Sequence, residues 1–272
     1  MHPTIELFGR QFGSYGLMAA AGFLAMILCV ACLARRRGYN PDDAVLQTLV
    51  SFVGCGIGAV LLYGITNIPV MLHIVEAYQG GLYPSTLAML RDLASCFGGF
   101  VFYGGLIGAV VACCLYSRHR GWPVLERLDM FTVAVPLFHV FGRIGCFLAG
   151  CCYGVEADWG FVYTVAPVAE ANGVTRVPIQ LIEAACNLVL FAVLLALFLK
   201  DRLRGRLVAV YGIAYGVICF IDEFWRGDAY RGIWGPFSTS QWISIAAIAA
   251  SVVLLVYLHK RKRRVEDAPV AP

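Results

Sequence analysis

Arg143 stands inside a long apolar stretch, flanked by Gly142 and Gly145, and Arg226 stands at the end of another. A guanidinium matches a phosphate with paired hydrogen bonds, so two of them at one depth imply an anion. His139 lies one helical turn before Arg143, on the same helical face, and is a candidate base. The competing reading is a packed, hydrogen-bonded core histidine. Gln180 and Glu183 open one apolar run, Asp222 and Glu223 close another, Gln241 starts a third and Tyr15 a fourth, and Tyr103 lies a little way into a fifth. Glu183 either neutralises an arginine or joins the chemistry. Arg226 either binds the anion or pairs with Asp222 or Glu223 on its own helix.

Cysteines offer a different chemistry. Of the 11, Cys146, Cys151 and Cys152 surround the end of one apolar run, and the others sit in or beside apolar segments as small hydrophobes. Cys146 and Cys151 do not share a helical face, and with His139 these thiols match no recognised ligand spacing, so no metal is expected.

The elements that must position these groups follow from composition. The 272 residues are 60% hydrophobic and 14% charged, against roughly 45–50% and about 25% in soluble domains. With a mean hydropathy of +0.75, the chain is no soluble, disordered or collagen-like protein. A crossing helix needs about 20 apolar residues. Seven runs qualify: 16–34, 44–65, 97–116, 128–150, 178–199, 207–225 and 240–259. They are long and unalternating, so they read as helices. The expected fold is an all-α polytopic membrane protein of seven transmembrane helices, a single integral domain over 1–272.

Fifteen of the 21 Lys and Arg residues lie at one set of helix ends, from Arg35 to the basic tail 260–272, while Arg10, Arg91, Arg176, Arg226 and Arg231 lie at the other. That bias places the N-terminus outside and the C-terminus inside. The tail then anchors topology at anionic lipid, and nucleic-acid binding is not expected. The first apolar run has the wrong charge order for a cleavable signal peptide. Two outer segments are long, 66–96 and 151–177. The first holds amphipathic stretches near 71–77 and 87–93 that suit an interfacial arm. Gly54/Gly58, Gly104/Gly108, Gly150/Gly154 and Gly212/Gly216 have the spacing of close helix packing.

An ionisable group within a span costs roughly 2.5–3.5 kcal/mol on insertion scales. Arg143 lies about 22 Å along its run from the inner side at 1.5 Å per residue, in the outer third of the bilayer. Its glycine flanks make room for something bulky. The polar residues of the other runs fall at similar depth. A cavity open to the outer leaflet explains this, and its most abundant phosphate is a phospholipid headgroup.

The segment Gly142-Arg143-Ile144-Gly145-Cys146-Phe147-Leu148-Ala149-Gly150, with Tyr153-Gly154, resembles the signature of the prolipoprotein diacylglyceryl transferase family. Tyr15-Gly16-Leu17-Met18, Tyr103-Gly104-Gly105-Leu106-Ile107-Gly108, Pro178 with Gln180 and Glu183, Tyr215-Gly216, Glu223-Phe224-Trp225-Arg226 and Gln241 agree in order. The resemblance implies transfer of diacylglycerol from phosphatidylglycerol to the lipobox cysteine thiol of a prolipoprotein signal peptide. This would take place in the bacterial inner membrane, release glycerol 1-phosphate, and need no cofactor. The acceptor brings the nucleophile, so the protein supplies a base and cations. The expected catalytic residues are His139, Tyr103, Arg143 and Arg226. Tyr15, Gly104, Gly105, Gly142, Gly145, Cys146, Gly154, Gln180, Glu183 and Gln241 join the two arginines in binding substrate.

The sequence departs from the family pattern at polar positions. Tyr103 replaces a histidine, Cys146 an asparagine, Ala149-Gly150-Cys151 stands for Asn-Gly-Glu, and Gly56 falls where an arginine is expected. His139 is the candidate to supply the base that Tyr103 cannot. Two other classes stay open: a relative that binds phospholipid or uses another donor or acceptor, and a membrane thiol oxidoreductase.

Overall fold

The computed structural model describes residues 2–7, 9–227 and 232–266. Arg231 and the tail beyond residue 266 lie outside the described residues. Among the described residues are nine α-helices and six short strands. The strands pair as three antiparallel hairpins or ribbons, which an all-α reading omits. Six helices are long and apolar enough to cross a membrane, which makes this a multi-pass membrane protein by length and composition. They are α1 (Ser14–Arg36), α2 (Pro41–Thr66), α6 (Val124–Ala149), α7 (Ile179–Leu199), α8 (Leu207–Asp222, continued by a 3-10 turn to Trp225) and α9 (Thr239–Glu266). The seventh expected run, 97–116, becomes α5 (Phe102–His119), which starts later and ends on Arg118 and His119. Those polar residues inside the helix dilute its hydropathy, and it falls outside the six.

The chain forms two compact units, one of Ala34–Leu128 and one of the described residues up to Leu33 and from Asp129 onward. In the first, Asn40 caps α2 by accepting the Asp42 N–H at 2.8 Å, with Pro41 at the first helical position. α2 and α5 pack backbone to backbone. A methyl at Gly58 would strike the Gly104 carbonyl, and one at Gly108 the Gly54 carbonyl. Without a hydrophobic drive between helices in lipid, such close approach is what holds a pair together. A polar clamp adds to it: buried Gln47 donates through Nε2 to Ser117 Oγ at 2.6 Å. Arg127 lies between the rings of Tyr39 and Trp122, at 4.0 and 3.9 Å from their centroids. The segment 66–96 forms two helices, α3 (Ile68–Gln79) and α4 (Thr86–Ser95), with no buried residue in either.

In the second unit, strands β1 (Thr4–Leu7) and β2 (Arg10–Gly13) precede α1. The Asp129 carboxylate of α6 accepts the N–H groups of Gly205 and Leu207 and so caps the start of α8 from another helix. α8 packs on α9, where Gly212 and Gly216 admit Ser251 and Ile248. The segment 151–177 is ordered by β3 (Glu156–Val162) paired with β4 (Thr175–Arg176). Buried Arg176 ties it together, donating to the carbonyls of Glu170 (2.6 Å), Ala171 and Gly154 (both 3.3 Å) and to Glu156, with its guanidinium over the Tyr153 ring. Strands β5 (Ile233–Trp234) and β6 (Phe237–Ser238) lead into α9. That helix runs to Glu266, so the expected basic tail from 260 begins inside it.

The pair Gly150/Gly154 is a correction: it is not a helix-packing motif. Gly150 has φ +75° and ends α6, with Gly150 N–H on Phe147 O (3.3 Å) and Cys151 N–H on Cys146 O (3.1 Å). This is a Schellman turn, which needs a left-handed residue at its centre. Gly154 lies past it, in an isolated antiparallel bridge with Arg226, and a methyl there would meet the Val177 carbonyl.

Candidate active site

The second unit gathers charge from three helices. Arg143 Nη2 of α6 meets Glu183 Oε1 of α7 at 2.6 Å. Glu183 sits in the first turns of α7, where the apolar run starts, and is buried. Asp222, the last residue of α8, is buried and within electrostatic reach of Glu183, Arg143 and Arg226. One oxygen, Oδ2, has no hydrogen-bond partner among the described residues. Arg226 follows the 3-10 turn. Its backbone is held by the bridge to Gly154, with Val155 N–H on Trp225 O at 3.0 Å, and its side chain hydrogen-bonds Cys152. The two arginines thus share one neighbourhood.

One turn before Arg143, His139 stacks on Tyr215 of α8 with ring centroids 5.1 Å apart, and Tyr215 stacks on Tyr211 at 5.3 Å. Buried Asn187 lies within interaction range of His139 and donates to the Glu183 carbonyl at 2.9 Å. Tyr15 packs into the space that Gly145 leaves open, and its phenol is within electrostatic reach of Arg143 and of Cys146, Cys151 and Cys152. A methyl added at Gly142 would meet nothing within 4 Å, so Gly142 fronts open space.

The α6 turn brings Cys146, Cys151 and Cys152 together, with sulfurs within 4.8 Å of one another. Spacing along a helix put Cys146 and Cys151 on different faces. The helix stops before that periodicity applies, and the Schellman turn folds Cys151 back. Cys152 has φ +55°, a conformation that costs a non-glycine residue about 1–3 kcal/mol. Hydrogen bonding with the Cys146 thiol, and Arg226 beside it, hold Cys152 below the usual thiol range, while the Cys151 thiol donates to the Cys146 carbonyl at 3.7 Å. The same hydrogen bonding, led by Cys146, raises Cys151.

Several expected binding residues have other partners. Gln180 is buried, and both ends of its amide are taken: Nε2 donates to the Cys151 carbonyl at 2.8 Å, and Oε1 accepts from the Tyr163 hydroxyl at 3.1 Å. It positions the cysteine turn. Burial raises the Tyr163 phenol, which stays protonated as that donor. Gln241 completes a capping box with Ser238: Ser238 Oγ accepts the Gln241 N–H (3.2 Å) and Gln241 Oε1 accepts the Ser238 N–H (3.1 Å). Gly104 and Gly105 are filled by α2, the first against the Gly58 carbonyl and the second against Cys55 Sγ. Tyr103 is half-buried on α5, in the first unit.

The sequence reading missed Asp222 as a member of the cluster in its own right, named Tyr215 only as part of the family pattern, and missed Tyr211 and Asn187. Asp222 carries the one available signal, an acid at the end of an apolar run. The others look like ordinary helix residues until their neighbours are known.

A bundle of apolar helices with a buried ion pair and a second arginine defines a membrane protein with a polar centre. Its family is shown by comparison. The family model for prolipoprotein diacylglyceryl transferase matches residues 4–257. A phosphatidylglycerol–prolipoprotein diacylglyceryl transferase of Clostridium tetani is 36% identical over 255 residues, 93% of this chain and 96% of its own. A second, from Clostridium perfringens, is 34% identical over 96% of each chain. One from Chlorobaculum tepidum is 33% identical over 99% of this chain and 93% of its own. The chain belongs to the prolipoprotein diacylglyceryl transferase family.

Proposed function

We propose that this protein transfers the diacylglyceryl group of phosphatidylglycerol to the lipobox cysteine thiol of prolipoproteins, the first step of lipoprotein maturation. It crosses the bacterial inner membrane seven times, α5 included, with the N-terminus outside. The Lys and Arg bias supports that orientation. The observation that carries the reading is the Arg143–Glu183 pair with Arg226 nearby. Membership of the family supports it.

In this reading the phosphate of phosphatidylglycerol binds Arg143 and Arg226, with Gly142 leaving space beside the helix. The acceptor thiol gives its proton to His139, since the thiolate is the reactive form. Its sulfur attacks the glycerol carbon that bears the phosphate. The C–O bond breaks, and charge gathers on the departing glycerol 1-phosphate, where guanidinium groups matter most. Glu183 orients Arg143 and Tyr15 lines the entry.

The test is direct. Purified protein in vesicles of phosphatidylglycerol is given a lipobox peptide, and the peptide is weighed. A gain of one diacylglyceryl group with release of glycerol 1-phosphate is expected. An unmodified peptide with bound phospholipid turns the protein into a binding relative, and a peptide disulfide turns it into an oxidoreductase.

A further inference from the structure

Three thiols converge where α6 ends, and two of them, Cys146 and Cys151, stand where the family pattern carries an asparagine and a glutamate. The sulfurs of Cys146, Cys151 and Cys152 lie within 4.8 Å of one another. Zinc–thiolate bonds of about 2.3 Å in a tetrahedron set sulfurs about 3.8 Å apart, so closure needs shifts of roughly 1 Å. The site is built, not incidental. A Schellman turn returns Cys151 to Cys146, Gln180 Nε2 grips the Cys151 carbonyl at 2.8 Å, and Cys152 is held in a left-handed conformation. Outer partners of this kind fix first-sphere ligands elsewhere.

We propose that Cys146, Cys151 and Cys152 bind a thiophilic divalent cation of the zinc class as three thiolates, leaving its fourth position for the acceptor cysteine. The fourth ligand rests on the transferase reading; the three-thiolate site does not. Three thiolates and a dication carry one negative charge, and an acceptor thiolate adds another. Arg226, bonded to Cys152, and Arg143, within reach of Cys146 and Cys152, lie beside that excess. Binding to the cation acidifies the acceptor S–H, and His139 takes the proton that is released, so the cation and the base of the transfer reading act on the same step. The sulfur then forms the C–S bond as the C–O bond to phosphate breaks. The electron pair leaves on the phosphate oxygen of glycerol 1-phosphate, and the cation keeps its charge throughout. A thiolate held this way forms at neutral pH, where a free thiol of pKa about 8.5 is mostly protonated.

The full-length protein is purified in detergent under reducing conditions with zinc supplied, and zinc per chain is measured by mass spectrometry. One zinc per chain is expected, falling at least tenfold in Cys146→Ser, Cys151→Ser, Cys152→Ser and the triple variant, and unchanged in Cys32→Ser. A melting temperature on each variant separates lost zinc from lost fold. Cobalt(II) is then substituted and a lipobox peptide added without phosphatidylglycerol. The thiolate-to-cobalt absorption is expected to grow with the peptide and not with its Cys→Ser version. Zinc near zero in folded wild-type protein overturns the site, as does zinc that survives the triple variant or a disulfide among the three. A cobalt spectrum indifferent to the peptide overturns the acceptor role. None of these readouts needs turnover, so failure of the transfer reading shows separately in the peptide-mass assay.

Discussion

Arg143 and Glu183 meet at 2.6 Å with unequal exposure: 21% of the arginine side chain is accessible against 4% of the glutamate. The carboxylate is fully committed to the protein, and the guanidinium keeps an open edge. A pair of that shape orients a cation toward a ligand. A pair buried evenly on both sides would only neutralise itself.

That asymmetry sets the first prediction. Glu183→Gln leaves a largely buried guanidinium without its counter-charge and costs about 3 kcal/mol of stability. Arg143→Lys keeps the charge and loses the planar fork. Transfer by Arg143→Lys is expected to fall by roughly 10²–10³-fold with weakened but measurable phosphatidylglycerol binding. Melting temperature and turnover in the same detergent separate the two effects. Unaltered turnover by Arg143→Lys removes the arginine from phosphate recognition.

His139 is the candidate base on α6, stacked against Tyr215. His139→Ala is expected to abolish peptide modification while leaving phospholipid binding intact. Should His139→Ala turn over like the wild type, the base lies elsewhere. Asp222, with its buried Oδ2, and a thiolate-bound cation are then the groups to examine through Asp222→Asn and chelation.

The α2–α5 contact predicts opposite outcomes at two neighbouring glycines. Gly58→Ala drives a methyl into the Gly104 carbonyl and is expected to cost about 1–3 kcal/mol by overpacking. Gly56→Ala meets nothing within 4 Å and is expected to leave the melting temperature unchanged. Equal melting of both variants refutes the backbone-to-backbone packing.

For Gln241 the structure predicts a stability effect. Gln241→Ala removes half of the capping box and the Nε2 bond to the Phe220 carbonyl and is expected to cost about 1 kcal/mol. Gln241→Glu keeps the box oxygen but sets a buried carboxylate against that carbonyl, and is expected to melt no higher than Gln241→Ala. Thermal unfolding of the three proteins checks this. A raised KM for phosphatidylglycerol without a lower melting temperature returns Gln241 to substrate binding.

The sequence by itself determined the membrane class, because runs such as 178–199 and 240–259 can be stable only where water is absent. It determined that Arg143 needed a partner, because a charge there is too costly alone. It also carried the glycines of the α2–α5 contact, since their spacing is local to each helix. Tertiary structure alone decided which carboxylate meets Arg143, because Glu183 lies on another helix and no local pattern links them. It gave Gln180 and Gln241 their protein partners, the Cys151 carbonyl and Tyr163 for one and Ser238 for the other, since a glutamine's partners are set by what packs beside it. It also joined Cys146 to Cys151 and Cys152. Helical periodicity separates them, and only the left-handed turn at Gly150, where that periodicity ends, folds the chain back on itself.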